Sequence, residues 1–122
     1  MAEREKKEAV LVFGLKNCDS CRKALKWMAA EGIDHSFHDL RADGLESDAL
    51  DRWIAAAGWE TLLNRKSTTW RGLSDGDKAE VDEAAARRLM LANPTLVKRP
   101  VIEVGRHVHV GFGPAVQSAL SA

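Results

Sequence analysis

A short apolar run near the start of the chain constrains the fold most, because a helical pattern and a second extended segment follow it at once. Residues 9–13 are continuously apolar and end at Gly14, as is typical of a strand buried on both faces of a parallel sheet. Apolar residues at helical spacing then predict a helix over residues 20–31, and weak alternation predicts a strand over 34–40. This succession indicates a right-handed βαβ unit.

The rest of the chain predicts a helical insertion followed by a β-hairpin. Helical patterns and loops fill the insertion, at about residues 44–93, which ends at Asn93-Pro94. Residues 101–110 alternate around Gly105-Arg106 and predict the hairpin, after which Pro114 opens a closing helix. The predicted fold class is α/β, a four-stranded mixed sheet within a single domain over residues 9–122. The predicted elements of the insertion are a helix that opens with a staple and cap over 45–48 and is closed by Gly58, a helical turn over 59–63, a polar loop over 64–72, and helix over about 75–92 with a break near 81–82.

Composition excludes several classes of partner. The chain has 122 residues, 45% of them apolar, which is enough for one hydrophobic core. Lysine and arginine total 18, as do aspartate and glutamate, so the balance of charge favours neither nucleic acid nor a membrane surface. We expect residues 1–8, charged with both signs, to be a disordered leader. The sequence shows neither an apolar signal segment nor a membrane span, so we expect a cytoplasmic protein. We also expect it to be a monomer.

Two cysteines three positions apart carry the chemistry that the sequence predicts. Cys18 precedes the first helix, where unpaired backbone N–H groups and the helix dipole favour an anion. The cations Arg22, Lys23 and Lys26 follow within two turns, and we expect them to favour the Cys18 thiolate further. Cys18 is therefore the predicted nucleophile.

Cys21 has a different predicted environment. Leu25 and Met28 follow it at i+4 and i+7, so its sulfur falls on the apolar face of the helix and should be shielded. An exposed thiolate that attacks a disulfide, beside a protected thiol that resolves the mixed disulfide, is the arrangement that dithiol exchange requires. Cys-x-x-Cys after a strand of a βαβ unit is the sequence signature of that chemistry.

Two other interpretations of the cysteines stay open at this point. They could be two buried structural thiols that happen to lie close in sequence. They could also bind zinc, although the available histidines do not stand at finger-like spacing from the pair, and we predict no metal site. These histidines are His35, His38, His107 and His109.

Several motifs of the sequence occur together in one known family. These motifs are Asn17-Cys18-Asp19-Ser20-Cys21-Arg22-Lys23-Ala24, Leu62-Leu63-Asn64-Arg65, Leu73, Leu89-Met90, and Asn93-Pro94-Thr95-Leu96-Val97-Lys98-Arg99-Pro100-Val101. Together they resemble the arsenate reductase (ArsC)/Spx family, and most closely its YffB-like branch. The resemblance covers residues 9–121 and implies a thioredoxin-like fold with a helical insertion.

The resemblance implies roles for individual residues. The family nucleophile matches Cys18, and the Arg-Pro motif before the third strand matches Arg99-Pro100, which implies a cis proline beside the thiol. Arg99 is then a catalytic residue together with Cys18 and Cys21, since its guanidinium offers fixed donors to an oxyanion or thiolate. The residues expected to contact the substrate are Asn17, Arg22, Arg65 and Pro100.

The resemblance also implies a function. Arsenate reductases proper bring three arginines to the oxyanion, but here the first falls ambiguously at Asn64-Arg65 and Gly111-Phe112-Gly113-Pro114 replaces the third. We therefore expect a thiol-disulfide reductase with no tightly bound cofactor, using glutathione as co-substrate or a glutaredoxin as partner. The alternatives are an Spx-like redox sensor that binds RNA polymerase, for which Gly58 occupies the position of the polymerase-contacting glycine, and an arsenate reductase.

Overall fold

The computed structural model describes residues 10–121, which form two compact units. The first unit comprises residues 10–38 and 99–121 and contains nearly all of the β-sheet; the second comprises residues 39–98 and is mainly helical. The predicted disordered leader over residues 1–8 lies outside the described residues.

The sheet has four strands, β1 (Val10–Gly14), β2 (Ser36–Asp39), β3 (Val101–Val104) and β4 (His107–Val110), in the order β2-β1-β3-β4. It is a mixed sheet. Strand β3 is antiparallel to both of its neighbours, β1 and β4, so the β1–β2 pair is the parallel one. This is the pairing that the strand-helix-strand pattern of the sequence predicts.

The hairpin of β3 and β4 has the predicted register. Val104 pairs with His107 across a two-residue turn, and Gly105 in that turn has a φ of 58°. A positive φ at the first turn position matches the right-handed twist of the strands, and glycine adopts it without steric cost. The C=O of Pro100, just before β3, accepts a hydrogen bond of 2.8 Å from Gly111 N.

Two helices of the first unit are α1 (Asp19–Ala30) and the closing helix α7 (Pro114–Ser121). Both contribute to a core on one face of the sheet, where the rings of Trp27 and Phe112 meet edge to face with centroids 5.5 Å apart. The buried members of this core are Val10, Val12, Ala24, Met28, Ile33 and Ile102.

The second unit contains five helices between residues 47 and 92, inside the predicted insertion. Its buried apolar side chains include Trp53, which is fully buried, Leu50 and Met90. A short antiparallel backbone contact pairs Leu63 with Val97, and Asn64 N donates to Leu96 O at 2.8 Å. The helices are α2 (Ser47–Ala57), α3 (Trp59–Leu62), α4 (Thr68–Arg71), α5 (Asp75–Lys78) and α6 (Glu83–Ala92), followed by a 3-10 turn over Pro94–Leu96.

The predicted polar loop over residues 64–72 is wrong in part, because α4 lies within it. Ser67 Oγ accepts a hydrogen bond of 3.1 Å from Trp70 N and caps this helix, while Thr69 Oγ1 lies 2.6 Å from Thr95 Oγ1. Threonine has a low intrinsic helix propensity, so the pattern of the segment does not reveal a turn that capping stabilises.

The predicted fold class is confirmed: the chain has an α/β, thioredoxin-like architecture in which a βαβ unit and a terminal β-hairpin share one sheet. Within residues 10–121, no helix combines the length and the apolar character that crossing a membrane requires.

Candidate active site

Cys18 lies at the N-cap of α1. Its backbone is extended, with φ −101° and ψ 122°, while its C=O already accepts the first helical hydrogen bond, from Arg22 N at 2.9 Å. The thiol is half-buried. The sulfur therefore lies where the unpaired N–H groups of the first helical turn and the positive end of the helix dipole stabilise negative charge.

The environment lowers the pKa of the Cys18 thiol below its ordinary value. Partial burial by itself would raise this pKa, but hydrogen bonds from the backbone and the thiol of Cys21, and a hydrogen bond and positive charge from Arg99, together outweigh it. The Cys18 side chain forms no N-cap hydrogen bond of standard geometry. The attraction of the Cys21 N–H therefore acts chiefly on the charged thiolate.

Cys21, one turn further along α1, is the shielded member of the pair. Its side chain is 0% exposed, and burial raises the pKa of its thiol to about 12 despite a hydrogen bond with the backbone of Leu15 and the charge of Arg99. Its hydrogen bond with Cys18 and the negative charge there raise this pKa further. Cys21 thus keeps its proton when Cys18 is ionised.

Arg99 and Pro100 stand directly before β3. The peptide bond between them is cis, as the family resemblance implies, and Pro100 is fully buried. Arg99 is half-buried, its Nε is buried, and its guanidinium interacts with both cysteines. The structure therefore brings Arg99 together with Cys18 and Cys21, the three residues that the sequence predicts to be catalytic.

The cations of α1 lie at the surface. Arg22 is 62% exposed and lies 3.6 Å from Asp19 in an ion pair, and Lys23 and Lys26 are exposed. A hydrogen bond and a positive charge from Arg99 act on the Cys18 sulfur. Long flexible side chains on the outer face of a helix extend into solvent, where screening weakens their influence.

Two predicted substrate contacts border the cysteines in sequence. Asn17 is exposed in the turn over residues 15–18, directly before Cys18. This turn closes with a hydrogen bond of 3.2 Å from Cys18 N to Leu15 O. Asn17 and Arg22 thus flank the half-buried thiol on either side along the chain.

Arg65 belongs to the second unit. Its guanidinium lies over the rings of Trp59 and Trp70, 5.8 and 5.7 Å from their centroids. It also borders a pocket of about 280 Å³ within that unit, together with Glu60, Leu63, Asn64, Lys66 and Lys98. Cation–π contacts hold the side chain in place while its edge stays available to an anion.

The segment Gly111-Phe112-Gly113-Pro114, which the family resemblance aligns with the third arginine of arsenate reductases, has a structural role. Gly111, with φ 86°, turns the chain after β4, and Phe112 packs on Trp27 in the core of the first unit.

Among residues 10–121, no three histidine, cysteine, aspartate or glutamate side chains cluster in a way that could hold a metal ion. His35 Nδ1 donates a hydrogen bond of 2.9 Å to Ile33 O, and the His38 ring lies tilted at 44° to the Phe13 ring with centroids 5.2 Å apart.

Sequence reasoning missed the relation between Gly14 and Cys21. Gly14 ends β1, and a Cβ added there would overlap the Sγ of Cys21. The sequence shows Gly14 only as a residue that bounds a strand, since no local pattern indicates which side chain it meets. The signal that the sequence offers for such a contact is a glycine at the end of a buried strand where no turn requires a glycine.

The arrangement separates two thiols by reactivity. Cys18 is half-buried with a lowered pKa, so it can react as a thiolate, whereas Cys21 is buried and protonated. Such a pair can attack an electrophilic sulfur with one cysteine and form an internal disulfide with the other.

Comparison with known proteins agrees with this fold. The profile of the ArsC family matches residues 13–119. An uncharacterized protein of Haemophilus influenzae is 43% identical over 103 residues, which cover 84% of this chain and 90% of that protein. The global transcriptional regulator Spx of Streptococcus pyogenes is 29% identical over 105 residues, which cover 84% of this chain and 78% of Spx.

Solved structures show the same relationship. The structure of a YffB protein superposes with a TM-score of 0.88 at 43% identity and covers 93% of this chain and 99% of its own. An arsenate reductase (ArsC) related protein from Brucella melitensis has a TM-score of 0.74 at 47% identity and covers 91% and 92% of the two chains. With the family profile matched over most of its length, the chain belongs to the ArsC family.

Proposed function

We propose that this protein is a cytoplasmic thiol-disulfide reductase that uses Cys18 as nucleophile and Cys21 as resolving thiol, with glutathione as co-substrate. The observation that carries the proposal is the asymmetry of the pair: a half-buried thiol with a lowered pKa beside Arg99, and a buried thiol whose pKa is about 12. Membership of the ArsC family supports a reductase.

The reaction begins when the Cys18 thiolate attacks one sulfur of a disulfide. A bond forms between Cys18 Sγ and that sulfur, the substrate S–S bond breaks, and the other half leaves as a thiolate. Cys21 then loses its proton and attacks Cys18 Sγ, so that an internal disulfide forms and the second thiol leaves. The substrate disulfide is reduced by two electrons and the cysteine pair is oxidised.

Arg99 has two tasks in this scheme. Its charge favours the Cys18 thiolate before attack. Its guanidinium can also receive a carboxylate of the incoming molecule, and glutathione carries two such groups. Two molecules of glutathione would return the cysteine pair to dithiol, one by attacking the internal disulfide and the other by attacking the resulting mixed disulfide.

Cysteine variants test the proposal directly. With glutathione disulfide, Cys18→Ser should form no glutathione adduct and no reduced glutathione, because the attacking sulfur is gone. Cys21→Ser keeps a hydrogen-bond donor beside Cys18 but cannot form a disulfide, so an adduct on Cys18 should accumulate to near one per chain. Mass spectrometry of the intact protein and of its peptides measures both. Reductase activity retained by Cys18→Ser would contradict the proposal.

An Spx-like regulator is the second candidate, favoured by the similarity to Spx of Streptococcus pyogenes. Gly58, at the position of the polymerase-contacting glycine, has φ 88° at the C-terminus of α2, so its backbone alone accounts for a glycine there. Capture of this protein by the α subunit of RNA polymerase, with a strength that changes when the cysteine pair is oxidised, would favour the regulator. A reductase should not be retained.

Arsenate reductase is the third candidate, supported by the similarity to an arsenate reductase related protein. Arsenate turnover with glutathione and glutaredoxin distinguishes it from disulfide exchange. We expect turnover well below that with a disulfide, because the resemblance aligns Gly111-Phe112-Gly113-Pro114 with the third arginine of arsenate reductases, and this segment offers no cation.

A further inference from the structure

Gly14, the last residue of β1, lies directly against the sulfur of Cys21. A Cβ built on Gly14 would overlap Cys21 Sγ, and it would stand 3.3 Å from Cys21 Cβ and 3.6 Å from Cε1 of Phe37. Both Gly14 and Cys21 are buried. A real side chain at position 14 would therefore have to displace the sulfur, because the rest of β1 is fixed in the sheet.

The backbone at Gly14 gives no separate reason for a glycine. Gly14 is absent from the positive-φ glycines of the described chain, which are Gly32, Gly44, Gly58, Gly105 and Gly111. It continues the pairing of a regular strand, a conformation that alanine also adopts. The close approach of Cys21 Sγ is what excludes a side chain here.

The same short segment fixes both cysteines. Leu15, next to Gly14, forms a backbone hydrogen bond with the Cys21 sulfur, and its C=O accepts the hydrogen bond from Cys18 N. Gly14 thus borders Cys21 Sγ on one side. The Cys21 thiol also forms a hydrogen bond with Cys18 Sγ.

We propose that Gly14 is a positioning residue for the resolving step: by omitting a side chain it lets Cys21 Sγ rest against β1 within reach of Cys18. The inference rests on the proposed thiol exchange. In that step the Cys21 sulfur bonds to Cys18 Sγ, and the bond from Cys18 to the substrate sulfur breaks. The substrate sulfur takes the electron pair of that bond and the proton of Cys21, and leaves as a thiol. A displaced Cys21 slows this step but leaves the first attack by Cys18 possible.

Gly14→Ala tests the inference, with Gly113→Ala as a matched control. A Cβ at Gly113 meets nothing within 4 Å, and its φ lies outside the positive range. After mixing with glutathione disulfide, quenched samples are analysed by intact mass for the adduct on Cys18 and for the internal disulfide. Gly14→Ala should still form the adduct but convert it to the internal disulfide about a hundredfold more slowly, as a misplacement near 1 Å implies. Gly113→Ala should match the parent chain in both steps.

A double-mutant cycle on stability keeps the inference testable if Gly14→Ala folds poorly. Gly14→Ala should lower the denaturant midpoint markedly in the parent chain but much less in a Cys21→Ala background, where the sulfur is gone. An equal loss in both backgrounds, or an internal disulfide formed by Gly14→Ala at the parent rate, would overturn the inference. Failure of the parent chain to form either an adduct at Cys18 or the internal disulfide would instead overturn the proposed function.

Discussion

At the scale of single residues, the site depends on a difference between two thiols that are identical in isolation. The N-cap position and Arg99 favour the thiolate of Cys18, while burial of Cys21 favours its protonated form. The sequence predicts this difference from helix position and apolar spacing. Local spacing indicates only the cations of α1 as activating charges, and Arg99 enters through the family resemblance, because its approach depends on where β3 enters the sheet.

Arg99→Ala should slow the reaction of Cys18 with disulfides roughly tenfold at neutral pH, because a smaller fraction of Cys18 is then thiolate. The pKa of Cys18 should rise, since the guanidinium charge and hydrogen bond are gone. The pH profile of the reaction measures both. Arg106→Ala is the matched control and should leave the profile unchanged, because Arg106 is exposed in the turn between β3 and β4. An unchanged profile in Arg99→Ala, or an equal change in both variants, would contradict this assignment.

At the scale of elements, periodicity and caps locate most of the fold. The start of α1, the hairpin turn at Gly105, and the stop at Pro94 all follow from local rules that the sequence displays. The short helix α4 does not, because a single side-chain cap from Ser67 stabilises it. Contacts between distant segments, such as Gly14 against Cys21, also escape local patterns.

The N-cap of α6 gives a prediction at this scale. Asp82 Oδ1 accepts a hydrogen bond of 2.9 Å from Ala85 N, so Asp82→Ala should lower the free energy of unfolding by about 1 kcal/mol. Asp51→Ala is the control: it removes an exposed ion pair, Asp51 Oδ1 to Arg87 Nε at 2.7 Å, and should change stability little. Urea unfolding of the two variants measures the difference, and a larger loss in Asp51→Ala would show that the cap is not what holds α6.

At the scale of the whole molecule, the fold places the two cysteines at the N-terminal end of α1, a helix that otherwise contributes to an apolar core. Most buried core residues of the first unit come from β1, α1 and β3. Gly14 and Cys21 belong to these elements, and Cys18 and Arg99 stand shortly before α1 and β3. The same strands and helix therefore form the core and position the catalytic side chains. The sequence predicts the order of these elements from their periods, but which side chains meet at the site follows from how the strands pair.

Global stability should depend on pH through Cys21. Its pKa is about 12 in the folded protein and about 8.5 in an unfolded chain, so its contribution is fully present below pH 8.5 and is lost as pH rises through 12. The free energy of unfolding should fall faster above pH 8.5 in the parent chain than in Cys21→Ala. The chain has no tyrosine, so no phenol titrates in this range. Parallel curves for the two proteins would show that Cys21 is not held protonated.

The reactivity of each cysteine as a function of pH tests the central claim most directly. Iodoacetamide labelling of the reduced, folded protein, followed by peptide mass spectrometry, gives a rate for each thiol. Our account predicts that Cys18 is modified with an apparent pKa below that of an ordinary cysteine, while Cys21 stays unmodified until the protein unfolds. Modification of Cys21 first, or of both thiols with the same ordinary pKa, would contradict it.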